Sequence, residues 1–215
     1  MKHVGANYPN FNCKNQNQFT IAFNYPFDNI PQVFLVLDHL GVTVKTDFRI
    51  QIEDVTKLSE IYQITQDFRL NAVCLTGWAN CVILKWYAID DQRFQIVNAF
   101  NTIDLTQKKF QHKNKNVNTE IGLITLIRHN FDEINFNLTI NEITSDDVTV
   151  SLVKVPADFP KLVQVGFQII LGPKEAFQNF FSNYSTNDLY NFLKGDKMHG
   201  LQLHLLEWDI LTLML

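Results

Sequence analysis

One nine-residue pattern occurs twice in the chain of 215 residues, and this internal repeat constrains the fold more than any other feature. The stretch FRIQIEDVT at 48–56 returns as FNLTINEIT at 136–144, an offset of 88 residues. Both copies place apolar side chains at alternate positions, as in a β-strand with one face in a core. Apolar positions also match upstream at the same offset, where VFLVLDHL and IGLITLIR correspond. The sequence therefore predicts a tandem duplication of one all-β unit.

The duplication divides the chain into three predicted parts. Antiparallel β-sandwich domains are predicted over 1–91 and 92–172, because the polar run DDQR at 90–93 separates two hydrophobic stretches. Residues 173–215 form a partly helical C-terminal extension, in which KEAFQNFFSNY and NDLYNFLKG favour two short helices. The closing LQLHLLEWDILTLML is compatible with a helix or a strand. It is too short, and too interrupted by acidic residues, to span a membrane.

Alternation and loop residues place the strands within each unit. VFLV at 33–36 is uniformly apolar, which predicts a central strand covered on both faces. In CVILKWYAI, at 81–89, the alternate side chains that include Trp86 face a core. Two clusters of lysines within 107–118 predict a solvated polar loop. Further strands are predicted near His3–Ala6, at Phe19–Phe23, Phe48–Val55 and Ile61–Thr65, and over FQIVNAF, IGLITLI, INFNLTINEI, VTVSLVKV and LVQVGFQIIL.

The composition argues against several classes of protein. Charged residues make up 19% of the chain and the net charge is −4, whereas a nucleic-acid-binding protein normally carries a basic face. Three cysteines are too few for a disulfide framework, and no CxxC or HxxxH spacing indicates zinc. We therefore expect no metal, no cofactor and no nucleic-acid partner. The first 18 residues lack the apolar segment of a secretory signal, so an intracellular location, in a cytoskeletal or organellar complex, is expected.

Three motifs of the first unit occur in a distinctive order. A proline precedes a buried strand in IPQVFLVLDHL, arginine takes the second position of FRIQIEDVT, and the last strand, ILKWYAI, contains tryptophan. From Phe19 to Ile89 this order resembles the H-type lectin domain. In the second unit only the strand pattern carries the resemblance, and Phe167 takes the position of the closing tryptophan. The resemblance implies a six-stranded antiparallel β-sandwich that commonly forms trimers and binds galactose or N-acetylgalactosamine.

The resemblance also implies a sugar site around Arg49, which matches an arginine on a central strand of the family. That arginine donates hydrogen bonds to sugar hydroxyls, and an aromatic ring packs on the apolar face of the sugar. Cys74-Leu75 replaces the threonine and tryptophan usual in the family, so Phe68 and Trp78 are the candidate rings. In the second unit Asn137 takes the position of Arg49, which predicts that a second site is lost.

Arg49 and Trp78 also have purely structural interpretations. Arg49 could lie on an exposed strand and pair with an acid such as Glu53 or Asp67, a contact of small energetic value. Trp78 follows a glycine in a loop-like stretch, which suits ligand stacking or an interface as well as burial.

Two classes of function fit these features. The first is a non-enzymatic structural or interaction module, a duplicated lectin-like sandwich that assembles with other protein subunits or with itself. The altered sugar motif and the apolar C-terminal segment favour it. The second is a carbohydrate-binding lectin, which the resemblance and Arg49 favour. No GxSxG, P-loop, GxGxxG or HExxH pattern occurs, and we predict no catalytic residue.

Overall fold

The computed structural model of the protein describes residues 2–7, 16–23, 25–42, 46–60, 63–76, 79–102, 109–116, 118–131, 136–154 and 164–181. Within these ranges the chain is almost entirely β-strand, which confirms the all-β prediction. The strands are β1 Lys2–Asn7, β2 Gln16–Ala22, β3 Gln32–Val42, β4 Thr46–Glu60, β5 Gln63–Thr76, β6 Ala79–Ile89, β7 Gln95–Thr102, β8 Lys109–Lys113, β9 Ile121–Phe131, β10 Phe136–Ile143, β11 Asp147–Lys154 and β12 Gln164–Gly172, and the helix α1 is Lys174–Phe181.

Two details of the strand prediction need correction. β5 extends to Thr76, far beyond the predicted Ile61–Thr65, because the alternation of Phe68, Leu70 and Ala72 continues the strand. The predicted loop over 107–118 contains β8, which pairs with β11 although its sequence is polar. The helix predicted after Pro173 is confirmed as α1. The second predicted helix and the closing apolar segment lie outside the described residues.

The strands form three antiparallel sheets in the described part of the chain. Two of them have three strands, in the orders β1-β6-β3 and β10-β11-β8, and the third has six, in the order β2-β5-β4-β9-β12-β7. The six-stranded sheet joins the two halves of the chain, because Thr46–Arg49 of β4 pairs with β9. The strand orders of the first half, β1-β6-β3 and β2-β5-β4, return in the second half as β7-β12-β9 and β8-β11-β10.

Each half of the chain has an apolar cluster of its own. Buried side chains of β2, β3, β4, β5 and β6 form the first cluster, in which the rings of Phe68 and Trp86 lie 5.3 Å apart. The prediction that Trp86 lies in a core is therefore confirmed. Buried side chains of β9, β10, β11 and β12 form the second cluster, with Phe167 fully buried.

A third apolar cluster connects the halves. Phe34 and Val36 of β3 and Tyr87 and Ile89 of β6 point away from the first cluster, since their neighbours along the strands face it. They pack with side chains of the second half that include Phe94, Ile96, Ile121, Ile170, Ala176 and Phe177. VFLV is thus covered on both faces, as predicted. The prediction of a central strand is wrong, because β3 lies at the edge of its sheet.

A buried glutamine amide completes the backbone hydrogen bonds at this edge of β3. Gln168 of β12 is fully buried, and its Oε1 accepts a hydrogen bond from the Leu35 N–H at 2.8 Å. Its Nε2 donates to the carbonyl of Val33 at 3.1 Å and to Asn98 Oδ1 at 2.7 Å. The side chain therefore takes the place of a neighbouring strand for groups that would otherwise be buried without partners.

Gln32 of β3 makes the reciprocal contact with the second half. Its Oε1 accepts from the Ile96 N–H at 2.8 Å, and its Nε2 donates to the carbonyl of Phe94 at 2.9 Å. Each half of the chain thus extends one glutamine onto the backbone of the other. Apolar packing and directional hydrogen bonds together fix the register between the halves.

We predict that Gln168→Leu lowers the free energy of unfolding, because leucine keeps much of the volume and removes both backbone contacts. Each buried group left without a partner should cost about 1–3 kcal/mol. Urea denaturation would measure the loss. Gln92→Leu, at an exposed turn position, is the matched control and should change stability by no more than about 0.5 kcal/mol. Equal effects of the two substitutions would contradict the role of Gln168.

His112 of β8 is a partly buried titratable group in the second half. Its ring meets Phe167 edge-on at 5.6 Å, and its buried Nε2 has no hydrogen-bond partner among the described residues. Burial lowers the pKa of His112 below its ordinary 6.5. In the unfolded chain the same imidazole binds a proton more readily. The contribution of neutral His112 to the free energy of unfolding is therefore fully present above pH 6.5. It is lost as the pH falls from there towards the folded-state pKa.

We predict that His112→Phe removes this part of the pH dependence. Between about pH 7 and about pH 5 the unfolding free energy of the natural chain should fall more steeply than that of the variant. Urea denaturation of both chains over the same pH series measures the difference, in which all other titrating groups cancel. Parallel profiles would show that His112 does not titrate differently on folding.

Candidate functional site

The face of β2, β5 and β4 that points away from the first cluster is polar. Ile50 is buried in that cluster, so Arg49, its neighbour on β4, lies on the opposite face. Leu70 and Ala72 flank Asn71 in the same way on β5. The residues of this polar outer face with described side chains include Gln18, Thr20, Arg49, Gln51, Glu53, Arg69 and Asn71.

A hydrogen-bonded group of three side chains organises the polar outer face. Gln18 and Asn71 are partners in the β2/β5 register, and both donate to Glu53 of β4. The distances are 3.3 Å from Gln18 Nε2 to Oε2 and 2.8 Å from Asn71 Nδ2 to Oε1. Asn71 is only 8% exposed, and its buried Oδ1 has no partner among the described residues.

Arg49 lies where the first half of the chain joins the second. In the strand register it is opposite Val73 of β5 on one side and Arg128 of β9 on the other. Its side chain is half-buried and has an interaction within the structure. Glu53 and Asp67 are the two acids considered as ion-pair partners of Arg49. Glu53 accepts the hydrogen bonds from Gln18 and Asn71 described above. Asp67 accepts a hydrogen bond from the Thr56 hydroxyl at 2.7 Å. Both interpretations of Arg49 stay predictions.

The structure places Phe68 in the core and not on the polar outer face. It is fully buried in the first cluster, stacked on Phe23 with a centroid distance of 5.7 Å. Its place on β5, between β2 and β4, directs the ring into the core and away from the polar outer face. A buried ring cannot stack on a sugar, so we do not carry Phe68 into the proposed site. Trp78 lies outside the described residues, and its role stays a prediction.

Neither Gln18 nor Asn71 is among the site residues predicted from the sequence. Asn71 lies between Leu70 and Ala72, and Gln18 precedes the alternating Phe19 and Ile21. This pattern marks both as outward-facing once β2 and β5 are placed. Their shared contact with Glu53 depends on the strand register, which the sequence alone does not give. Among the described residues, no group of three or more acidic, histidine or cysteine side chains is placed to hold a metal. Nor does that part of the chain contain a helix long and apolar enough to cross a membrane.

A known family model matches part of the chain. Residues 18–89 match the family model of the H-type lectin domain. This match confirms the resemblance found over Phe19 to Ile89, and it runs from within β2 to the last residue of β6. No curated protein and no solved structure gives a significant match to the chain. The matched part is therefore a lectin-like module for carbohydrate binding or interaction, and the resemblance of the second half stays a prediction.

We predict that Phe68→Ala acts on stability rather than on ligand contact. Removal of a fully buried ring should cost about 3–5 kcal/mol of unfolding free energy. Tyr25→Ala, at a site 69% exposed, should cost much less. Urea denaturation measures both losses. A variant at Phe68 that kept its stability but lost a ligand would return this residue to the binding site.

Proposed function

We propose that the chain is a non-enzymatic interaction module, in which two lectin-like β-sandwich units in tandem form part of a larger intracellular protein assembly. The proposed units are 1–91 and 92–172, followed by the extension 173–215. Three features support two units: the matched strand orders, an apolar cluster in each half and the repeat of 88 residues. Galactose-type sugar binding by the first unit is the alternative function.

The observation that carries this proposal is the apolar outer face of the sheet β1-β6-β3. A two-layer sandwich needs only one apolar face per sheet, because the other face meets water. Here Phe34, Tyr87 and Ile89 make the outer face apolar as well, and protein covers it. The covering protein is the second half of the same chain, so the outer face of this lectin-like unit serves a protein contact.

Two observations favour the alternative, a working lectin. The family match covers the segment that contains Arg49, and Arg49 lies on the polar outer face of β2, β5 and β4. Hydroxyl groups of a sugar can accept hydrogen bonds from a guanidinium. Against it, the ring of Phe68 is buried in the core.

Gentle purification of the tagged full-length chain, followed by size-exclusion chromatography and a glycan array, separates the two functions. For an interaction module we expect a fixed set of partner proteins, or further copies of the chain, at constant stoichiometry. We also expect Arg49→Ala to leave that complex intact. Fluorescence imaging of the tagged chain tests the proposed intracellular location.

The opposite result would identify a lectin. A chain that eluted alone and bound galactose-type glycans, with the binding abolished by Arg49→Ala, would overturn the interaction module. Arg69→Ala is the matched control, because Arg69 lies on the same outer face and is exposed in an ion pair with Asp54 at 3.0 Å. It should leave glycan binding unchanged.

A further inference from the structure

The loop between β2 and β3 exposes two large apolar side chains. Tyr25 is 69% exposed and Ile30 is 59% exposed, and these are the large apolar side chains that the described part of the chain presents to water. Apolar residues exposed singly are ordinary on protein surfaces, whereas two on one short loop form a candidate contact surface. Residues 25–31 are called the Tyr25 loop below.

A buried glutamine amide of β5 holds the Tyr25 loop in one conformation. Gln66 is 3% exposed, and its Oε1 accepts a hydrogen bond from the Phe27 N–H at 2.5 Å, while its Nε2 donates to the carbonyl of Phe27 at 3.0 Å. The ring of Phe27 is buried in the first cluster, edge-on to Phe23 at 5.2 Å. Phe27 therefore anchors the loop from the inside, while Tyr25 and Ile30 stay exposed on either side of it in the sequence.

A carboxylate at the end of β6 fixes the second part of the loop. Asp90 accepts hydrogen bonds from the Asn29 N–H at 3.0 Å and from Asn29 Nδ2 at 3.1 Å. Pro26 and Pro31 restrict the backbone further, because each ring fixes φ at about −65°. A contact surface that is already ordered loses little conformational entropy on binding, so more of the free energy of apolar burial contributes to affinity.

The Tyr25 loop and Arg49 lie at opposite ends of the sheet β2-β5-β4. Gln66, which holds the loop, and Val73, which is opposite Arg49 in the strand register, both belong to β5. At about 3.3 Å per residue they are separated by roughly 23 Å along the strand. A partner bound to the loop would therefore not need to touch Arg49.

The charges at the loop indicate the chemistry of its partner. Asp28 is exposed between Tyr25 and Ile30, Asp90 borders the loop, and 25–31 contains no lysine or arginine. Carboxylates at the rim of a contact surface favour lysine or arginine on the surface that covers it. In a two-fold contact with a second copy the same acids would approach one another, and an anionic membrane would repel them. The loop therefore suits an apolar pocket with a basic rim.

We propose that the Tyr25 loop is a docking surface for a partner protein that offers an apolar pocket bordered by lysine or arginine, with Tyr25 and Ile30 as the side chains that enter the pocket. The proposal rests on the proposed role as an interaction module and names the kind of partner that the module binds. A few such anchors, buried in a pocket of the partner, contribute most of the affinity of a typical interface.

Photo-cross-linking of the full-length chain tests the docking surface. The photoreactive amino acid benzoylphenylalanine replaces Tyr25 in one sample and Thr20, exposed on the polar outer face, in the control. We expect position 25 to cross-link to one protein of the co-purified complex, at a segment that contains apolar residues together with lysine or arginine. Position 20 should not give this product.

The affinity of the chain for the cross-linked protein, measured by calorimetry, tests the named side chains. Tyr25→Ser with Ile30→Ser should weaken binding about tenfold or more, because both anchors lose most of their apolar surface. Asp28→Asn should weaken it about threefold, as for an exposed ion pair. Asn141→Ser with Glu142→Ser, at exposed positions of β10, is the matched control and should leave binding unchanged. All of these positions are exposed, so circular dichroism should show every variant folded.

Several results would overturn the docking surface. They are cross-links from position 25 to a second copy of the chain, to lipid, to a segment without basic residues or to no protein at all, and equal affinities of the Tyr25/Ile30 variant and its β10 control. If the Tyr25/Ile30 variant keeps a fixed set of partners, the interaction module stands and docks through another surface. If the natural chain elutes alone, the module itself is contradicted, so the two failures are distinguishable.

Discussion

Burial of the outer face of β1-β6-β3 against the second half is the interaction on which the architecture depends. In this chain that face carries Phe34, Val36, Tyr87 and Ile89, all buried. Fully burying each such side chain contributes about 1.5–3 kcal/mol relative to exposure. Exposed to water, the same face would form a contiguous apolar patch of the kind that drives association. The second half therefore covers the apolar surface that the first half would otherwise expose to water.

Apolar packing alone would not determine how the two halves are aligned. Dispersion and hydrophobic contacts tolerate a shift along the strands, whereas a hydrogen bond to one particular N–H does not. Gln168 bonds to Leu35 and Val33, and Gln32 bonds to Ile96 and Phe94. Since a shift by one residue would leave buried amides without partners, these two side chains select a single register.

The alternation of apolar residues was enough to predict the all-β class and most strands, because one face of each strand meets a core. The alternation did not predict a strand where the sequence is polar, and it did not show what covers a strand that is apolar on both faces. β8 is polar in sequence, since it lies at the edge of a three-stranded sheet with its exposed residues Gln111 and Lys113 facing outwards. The apolar run in β3 indicates cover on both faces but not the identity of the cover. Gln168 lies 133 residues from Leu35, and no local pattern connects them.

The residues of the candidate sugar site likewise could not all be predicted from the sequence, because their orientation depends on the strand register. The motif order located Arg49 on β4 correctly, because its position depends on one strand. Phe68 is near in sequence to the position of the family's tryptophan, yet the alternation along β5 directs it into the core with Leu70 and Ala72. The same alternation directs Asn71 outwards to Glu53. On a β-sheet a displacement of one residue exchanges core and surface, so a family site can be transferred only after the register of every contributing strand is known.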